Sequence, residues 1–355
     1  MLPRLVLDGA VLAENGKLFL REPLFAECAT GARPEPSFNR GCNVHLASSV
    51  DQGAFQRGGQ VLEFAKAIAR QAGERLMKVY GSPEGSQVDF KGRRDMVTEA
   101  DRAAEMFLAG EISERFPTDA ILAEESIRKD GSSGRVWILD PLDGTTNFVH
   151  GHPMFCVSVA LAEGYAGLPR ANTETLDDGA SGFFRSGNEP RLLVGVVCAP
   201  VFGELYWAER GGGAWLNGRK LRVSSEQELD RCLVATGFAY RRNELSNNNL
   251  GNFNRLVLQA QGVRRGGAAA LDLCFVAAGR FDAFWELYLK PWDVAAGMLL
   301  VSEAQGRVTG LAEESRALEG VEIVASNGAV HEQIRCLLEG PDPAWAESER
   351  ARVLP

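Results

Sequence analysis

The 355-residue chain lacks the marks of a membrane, secreted or nucleic-acid-binding protein. No uninterrupted apolar run reaches the roughly 18 residues that a transmembrane helix requires. The amino-terminal residues lack the positive start, apolar core and small-residue cleavage site of a signal peptide. The net charge of −9 comes without a basic stripe, so we do not expect nucleic acid as the main partner. We expect a cytoplasmic protein with no membrane association.

The cysteines and glycines exclude further classes. The seven cysteines are odd in number and scattered, without C-x-x-C spacing, which argues against a disulfide framework and a zinc site. We therefore expect buried free thiols. The glycines at 211–213 lie outside any Walker pattern and indicate a turn rather than a phosphate loop. The 45% of hydrophobic residues can supply the core of two packed subdomains.

The most informative stretch is WILDPLDGTTNF at 137–148. Its apolar beginning, residues 136–139, predicts a short buried strand, and Asp140 and Asp143 follow on a tight turn. Unpaired buried charges are costly, whereas clustered hard oxygens are the ligands that Mg²⁺ requires.

The residues after these acids suit an anion. Gly144 allows close approach of the backbone to a ligand, and Thr145 with Thr146 could begin a helix whose free N–H groups receive an anion. The alternative interpretation of the whole stretch is a capped turn between a strand and a helix.

Three other acidic segments accompany this motif, and each has a simpler interpretation when taken alone. Glu124 and Glu125 end an apolar strand, but could be a solvated loop. Asp293 precedes an apolar helical segment that begins at Val294, where it could be a helix cap. Asp101 lies at the start of a helix predicted over about 98–116, where Thr-x-x-Asp is a start-of-helix signature.

Together and in this order, the four segments resemble the inositol monophosphatase family of Mg²⁺-dependent, lithium-sensitive phosphatases. The resemblance runs from about Gly59 to about Gly340, and the 140–148 motif is its most specific part. The other family-like segments are AEES at 123–126, RRGGAAALDL at 264–273 and PWD at 291–293.

The resemblance implies two or three Mg²⁺ ions. Glu124, Asp140 and the backbone carbonyl of Leu142 would hold one ion. Asp140, Asp143 and Asp293 would hold a second, and a third, weaker ion would lie near Glu124.

The resemblance also implies how the reaction is catalysed. Glu124 would act through its ion, and Thr145, hydrogen-bonded to Asp101, would orient the attacking water and relay its proton. The N–H groups of Gly144 and Thr145 would bind the phosphate. Lys91, with Arg93 and Arg94, occupies the region of the family's mobile metal-loop lysine, although a solvated surface is a strong alternative explanation of Lys91.

For the sugar or polyol, the resemblance implies contacts from Asp143, Ala269 through its backbone, Glu286 and Asp293. Ala268 stands where the family has a small hydroxyl residue, so one polar contact is missing. Glu286 could alternatively be a solvated strand end.

The fold implied is α+β or α/β, a layered αβαβα sandwich with an antiparallel sheet in the first half and a mixed sheet in the second. We divide the chain at the end of its turn-rich region 30–60, at the change of pattern after 226, and at an insertion after Gly164. The first segment is an N-terminal extension 1–57, either partly disordered or containing a small hairpin around Asn15 and Gly16. It is followed by a first subdomain 58–226 with the metal and phosphate site and the insertion 165–191, a second subdomain 227–340, and a tail 341–355.

These features favour an inositol-phosphate phosphohydrolase acting on a small phosphate ester, in a homodimer of the kind common in the family. The open alternatives are a related sugar-, histidinol- or nucleotide-phosphate phosphatase, and a binding or regulatory protein that retains the site, since some bacterial relatives are linked to transcription antitermination. A nucleotide-binding kinase is excluded because the chain has no phosphate loop for it.

Overall fold

The structure, a computed structural model, describes residues 52–82, 88–90, 96–164, 190–311, 318 and 322–340. All of them lie in one compact unit, Asp51–Pro355. None of the helices in this described part has the length and apolar content needed to span a bilayer. The insertion 165–191, except for its last two residues, lies outside the described residues, as does the tail 341–355.

Strands dominate the first half of the chain. A small hairpin pairs β1 (Val88–Phe90) with β2 (Met96–Thr98). The main sheet consists of β3 (Ala120–Ala123), β4 (Arg128–Lys129), β5 (Arg135–Asp143), β6 (Cys156–Glu163), β7 (Arg191–Ala199), β8 (Glu204–Glu209), β9 (Gly213–Leu216) and β10 (Arg219–Lys220). Their order is β10-β9-β8-β7-β6-β5-β3-β4, and every neighbouring pair is antiparallel except β3 with β5.

The second half carries a five-stranded mixed sheet. Its strands are β11 (Leu233–Thr236), β12 (Gly262–Arg264), β13 (Ala283–Leu287), β14 (Arg307–Thr309) and β15 (Glu322–Ser326). The order is β12-β11-β13-β15-β14. Strand β11 is parallel to both of its neighbours, whereas β15 is antiparallel to both of its own.

Seven helices in the described residues cover these sheets. They are α1 (Gln52–Val79), α2 (Glu99–Arg115), α3 (Thr145–Val149), α4 (Leu250–Val257), α5 (Ala269–Ala277), α6 (Pro291–Glu303) and α7 (His331–Glu339).

The side chains of β5 show how the layers are arranged. Trp137 and Leu139 pack against α1 and α2, whereas Ile138 points to the opposite face and packs with α5 and α6. Phe284 of the second sheet belongs to the same buried cluster as these two helices, whereas the other face of that sheet lies in a cluster with α4 and α7. The sheet containing β5 is covered on both sides, which explains why residues 136–139 are apolar without alternation. The predicted αβαβα sandwich is confirmed.

Two helix starts and one thiol differ from prediction. Helix α1 begins at Gln52, inside the turn-rich region 30–60, since glycine lowers helix propensity by about 1 kcal/mol without breaking the hydrogen-bond ladder. Helix α6 begins at Pro291 rather than near Val294, because proline suits the first helical position, where no N–H is needed. Of the five described cysteines, Cys336 is exposed and the other four are buried.

Candidate active site

Strand β5 continues through the acidic motif, which corrects the predicted turn. Asp140 pairs with Ser158 and Asp143 with Cys156, and the register shifts between the two acids. Within this bulge, Leu142 donates its N–H to Oδ1 of Asp140 at 3.0 Å. Such bulges redirect side chains next to functional sites. Both acids therefore lie at the carboxyl end of one buried strand.

The turn after β5 requires glycine. Gly144 has φ +94°, and a Cβ atom there would lie 2.8 Å from the carbonyl oxygen of Met154. Only glycine adopts this left-handed conformation without a steric penalty. Helix α3 begins at the next residue, Thr145. The N–H groups predicted to bind phosphate, those of Gly144 and Thr145, belong to this turn.

Thr145 and Asp101 are in contact, as the sequence predicts. Oγ1 of Thr145 lies 3.0 Å from Oδ1 of Asp101 and 3.1 Å from the carbonyl oxygen of Leu142. The other oxygen of Asp101 accepts the Thr98 N–H at 2.9 Å and the Thr98 hydroxyl, which completes the capping box of α2. Asp101 is fully buried, so its orientation is determined by these partners.

The carboxylates predicted to bind metal lie within electrostatic range of Asp140. Burial raises the pKa of Asp140 well above its ordinary value, and Glu124, Asp143 and Asp293 raise it further. Glu124 also forms a hydrogen bond with Asp140. Glu124 follows β3, Asp143 ends β5, and Asp293 lies in the first turn of α6. Acids from three separate parts of the fold therefore act electrostatically on Asp140.

This donor set fits a hard divalent cation in its chemistry. Every predicted ligand is an oxygen, including the carbonyl of Leu142, and Mg²⁺ prefers oxygen ligands. Among the described residues, no group of three or more His, Cys, Asp or Glu side chains is placed so that it could by itself hold a metal ion. The argument for a cation therefore depends on the type of donor atom and on electrostatics. Neighbouring carboxylates repel one another, and either a cation or protons must offset that repulsion.

Asp143 is held by the beginning of α5. Its Oδ2 accepts the N–H of Ala270 at 2.8 Å and lies 3.6 Å from the Cys156 sulfur. Burial raises the pKa of Asp143 to about 6, although bonds from the first turn of α5, including the N–H of Ala269, lower it. The backbone of Ala269, a predicted substrate contact, thus faces this carboxylate. Ala268, immediately before α5, is buried.

Glu286 is buried at 8% exposure, which rules out a solvated strand end. Burial raises its pKa well above the ordinary value, and Arg265 opposes that shift. A Cβ atom at Gly237 would lie 2.1 Å from its carboxylate oxygens. Asp272, one turn into α5, is also buried, and its Oδ1 has no hydrogen-bond partner. Two buried acids therefore lie beside the metal-ligand candidates.

Asp293 takes part in capping α6, although the N-cap position itself is Lys290. It is the third residue of α6, and its Oδ2 accepts the N–H of Lys290 at 2.6 Å. The same side chain contributes to the field that raises the pKa of Asp140. The carbonyl of the preceding residue, Trp292, lies 3.3 Å from the Ser158 hydroxyl, which connects α6 to β6.

Two residues at the site were not predicted. Asn147 donates through Nδ2 to the carbonyls of Met154 at 2.6 Å and Gly266 at 2.9 Å, so it joins α3 to the loop before α5. Glu105 is buried in α2 and accepts backbone N–H groups from the segment after Glu124. The signal that could have identified Glu105 is the presence of an acid among the buried, mostly apolar residues of α2. The predicted cations Lys91, Arg93 and Arg94 lie outside the described residues.

Comparison with known proteins places this geometry in one family. Residues 59–170 and 188–340 match the model of the inositol monophosphatase family. The chain is 43% identical over 272 residues to a Pseudomonas aeruginosa protein named Nus factor SuhB, covering 75% of this chain and 91% of that protein. It is 38% identical over 274 residues to an inositol-1-monophosphatase of Rhizobium meliloti, with coverage of 77% and 94%. A structure of inositol monophosphatase from Anabaena has a TM-score of 0.67 and 36% identity, covering 81% of this chain and 98% of that one.

The fold and the named relatives define the protein as a phosphatase, which confirms the predicted class of enzyme. The chain belongs to the inositol monophosphatase family. The stretch 171–187, which the family model leaves unmatched, falls inside the predicted insertion 165–191.

Proposed function

We propose that the protein hydrolyses inositol monophosphate with Mg²⁺ as its cofactor. One observation carries the proposal: the charges of Glu124, Asp143 and Asp293 act on the buried Asp140, on the strand that leads to the Thr145–Asp101 contact. Phosphate monoesters hydrolyse very slowly without catalysis, so both charge neutralisation and water activation must be supplied. The Mg²⁺ ions that the carboxylates would hold serve the first need, and the Thr145–Asp101 pair would help those ions to serve the second.

Two groups of ligands would hold the ions. Glu124, Asp140 and the carbonyl of Leu142 would hold the first ion, and Asp140, Asp143 and Asp293 the second, with a third, weaker ion near Glu124. When bound, Mg²⁺ would neutralise phosphate charge and lower the pKa of the attacking water.

Thr145 and Asp101 would orient the attacking water and accept its proton. When the Thr145 hydroxyl donates to Asp101, its oxygen keeps lone pairs that can accept a hydrogen bond from water. Thr98 holds the other oxygen of Asp101, so the carboxylate stays oriented and can receive the relayed proton. The N–H groups of Gly144 and Thr145 would orient the phosphate.

The rest of the substrate would contact Asp143, Asp293, Glu286 and the backbone of Ala269. Relatives named inositol-1-monophosphatase support a polyol phosphate. Because Ala268 has no hydroxyl, a histidinol, sugar or nucleotide phosphate is the main alternative. We place this activity in the cytoplasm, as the free thiols suggest.

Phosphate release should be measured with inositol 1-phosphate, histidinol phosphate, fructose bisphosphate and adenosine 3′,5′-bisphosphate, each with Mg²⁺ and with excess chelator. We expect the highest kcat/KM with inositol 1-phosphate, inhibition by lithium, and no turnover in chelator. A preference for another ester would replace the proposed substrate. Full turnover in chelator would exclude the metal mechanism.

Asp140→Asn should reduce Mg²⁺-dependent turnover by more than about a hundredfold, because it removes charge that two ions would share. The matched control is Asp230→Asn at an exposed position, which should leave turnover unchanged. An Asp140→Asn enzyme that kept its turnover and its Mg²⁺ dependence would contradict the ligand assignment.

A second, regulatory function is favoured by the relative named Nus factor SuhB. If the chain has such a role, Asp140→Asn should restore the regulatory phenotype of a strain that lacks its own relative. Failure of the inactive variant, with success of the wild type, would show that phosphate hydrolysis is what the cell requires.

A further inference from the structure

Glu105 is a buried carboxylate that the proposed reaction does not use directly. Its side chain is 1% exposed. Oε1 accepts the N–H of Ser126 at 2.8 Å and that of Ile127 at 2.7 Å. Oε2 accepts the N–H of Glu125 at 2.7 Å. The Ser126 hydroxyl adds a contact of 3.2 Å to Oε1. One side chain therefore binds three consecutive backbone N–H groups.

These bonds hold the segment that follows Glu124. On its other side, Glu124 donates its own N–H to the carbonyl of Leu139 in β5 at 3.2 Å. The loop is closed at its base by a bond from the N–H of Ala123 to the carbonyl of Ile127 at 3.0 Å. The backbone at Glu124 is thus held in two ways. Its own N–H is bonded to β5, and the N–H groups of the next three residues are bonded to Glu105.

Helix α2, which carries Glu105, also carries Asp101, the partner of Thr145. Asp101 and Glu105 are separated by four residues in α2, so they lie on one face. Asp101 contacts Thr145, and Glu105 contacts the loop of Glu124. Helix α2 therefore connects the water-orienting hydroxyl with a metal ligand through two buried acids.

The three N–H groups use both oxygens of Glu105, which requires a carboxylate rather than an amide. A buried carboxylate costs more to desolvate than a neutral amide, and hydrogen bonds to an ionised acceptor are stronger and shorter than neutral ones. Glutamine in the same position could place its oxygen toward Ser126 and Ile127. Its NH₂ group would then face the N–H of Glu125, donor against donor, next to Glu124.

We propose that Glu105 is a positioning residue that sets the reach of Glu124 toward Asp140, and with it the affinity of the site for Mg²⁺. The inference depends on the proposed metal-dependent function. Partners of this kind behind a metal ligand typically change metal affinity by about 10- to 100-fold when they are replaced.

The test compares Glu105→Gln and Glu105→Asp with the wild type and with Glu114→Gln, an exposed change in the same helix. Mg²⁺ binding to the full chain is measured by isothermal titration calorimetry, together with Tm and the Mg²⁺ dependence of phosphate release. We expect Glu105→Gln to raise the Mg²⁺ Kd by about 10- to 100-fold. At saturating Mg²⁺, kcat should recover to within about threefold, and Glu114→Gln should match the wild type.

An unchanged Kd in a folded Glu105→Gln protein would overturn the inference, as would a fall in kcat that saturating Mg²⁺ does not reverse. If Glu105→Gln does not fold, Glu105→Asp decides, because it keeps the charge but shortens the reach, and it should also raise the Kd. A wild-type chain that binds no Mg²⁺ would overturn the inference outright. Wild-type Mg²⁺ binding without phosphate release from any ester would reject the proposed function alone, since the Kd comparison does not need turnover.

Discussion

The hydroxyl of Thr145 has one proton and two acceptors within reach, Oδ1 of Asp101 at 3.0 Å and the carbonyl oxygen of Leu142 at 3.1 Å. Leu142 is itself a predicted metal ligand. If its carbonyl turns to a cation, the proton of Thr145 is left to Asp101. At the scale of single residues, the carboxylate of Asp101 therefore determines where the lone pairs of Thr145 point.

Thr145→Ala should lower kcat by about a hundredfold or more while changing KM little, because orientation of the water matters mostly in the transition state. Asp101→Asn should act similarly, and the double variant should be little worse than either single one. Thr145→Ser, which keeps the hydroxyl, is the control and should retain most activity. Losses that add in the double variant would show that the two residues act separately.

At the scale of elements, α7 is joined to the edge of the second sheet through a buried histidine. Nδ1 of His331 lies 2.8 Å from the Ser326 hydroxyl of β15, and Nε2 lies 3.0 Å from the Thr309 hydroxyl of β14. Thr309 donates to the carbonyl of Gly310 at 2.7 Å, so its oxygen accepts from Nε2–H. The neutral ring is therefore satisfied on both sides, with Nδ1 as an acceptor.

Burial lowers the pKa of His331 from 6.5 to about 4, with Arg307 next among the causes and Arg335 acting in the same direction against Glu332. The unfolded chain therefore binds a proton that the folded chain does not. This contribution to stability is complete above pH 6.5 and is lost as the pH falls toward 4.

We expect Tm to fall between pH 6.5 and 4.5, and to fall less steeply in His331→Gln, which cannot take up that proton. Carboxylates titrate in the same range, so the difference between the two profiles is the measurement. Parallel profiles for wild type and variant would show that His331 contributes nothing to the acid sensitivity.

At the scale of the whole molecule, the insertion begins and ends at one place in the sheet. Glu163, the last residue of β6, pairs with Arg191, the first residue of β7, and their side chains form an ion pair. Antiparallel partners lie about 5 Å apart, so a short linker can replace the residues between them. The family model also leaves residues 171–187 unmatched.

We predict a homodimer whose interface or active-site rim includes part of 165–191. Deletion of 168–189 with a short glycine linker should leave the Mg²⁺ requirement unchanged, because no predicted ligand lies in the segment, while altering oligomer mass or substrate preference. Light scattering and the panel of phosphate esters provide the measurements. Unchanged mass and preference would mark the insertion as an inert loop, and loss of metal binding would place the core boundary elsewhere.

Much of the site was predictable because its signals are local. The acids of the 140–148 motif lie next to one another in the chain, and the helix after Thr98 carries its own capping signature. Helix starts were less certain. Gln52 begins a helix inside a turn-rich region because glycine is tolerated within a helix, and Pro291 begins one earlier than predicted because proline suits the first helical position. The bulge in β5 also escaped prediction, because it depends on the register of the partner strand β6.

The sequence by itself determined the family, the class of enzyme and the layered fold, because short-range patterns encode strands, caps and clustered acids. The tertiary structure alone decided which acids become buried partners. Glu286 changed from a possible solvated strand end to a buried carboxylate against Gly237, and Glu105 was assigned to the loop of Glu124. These contacts join residues far apart in the chain, and their effect comes from removal of water, which no local pattern records.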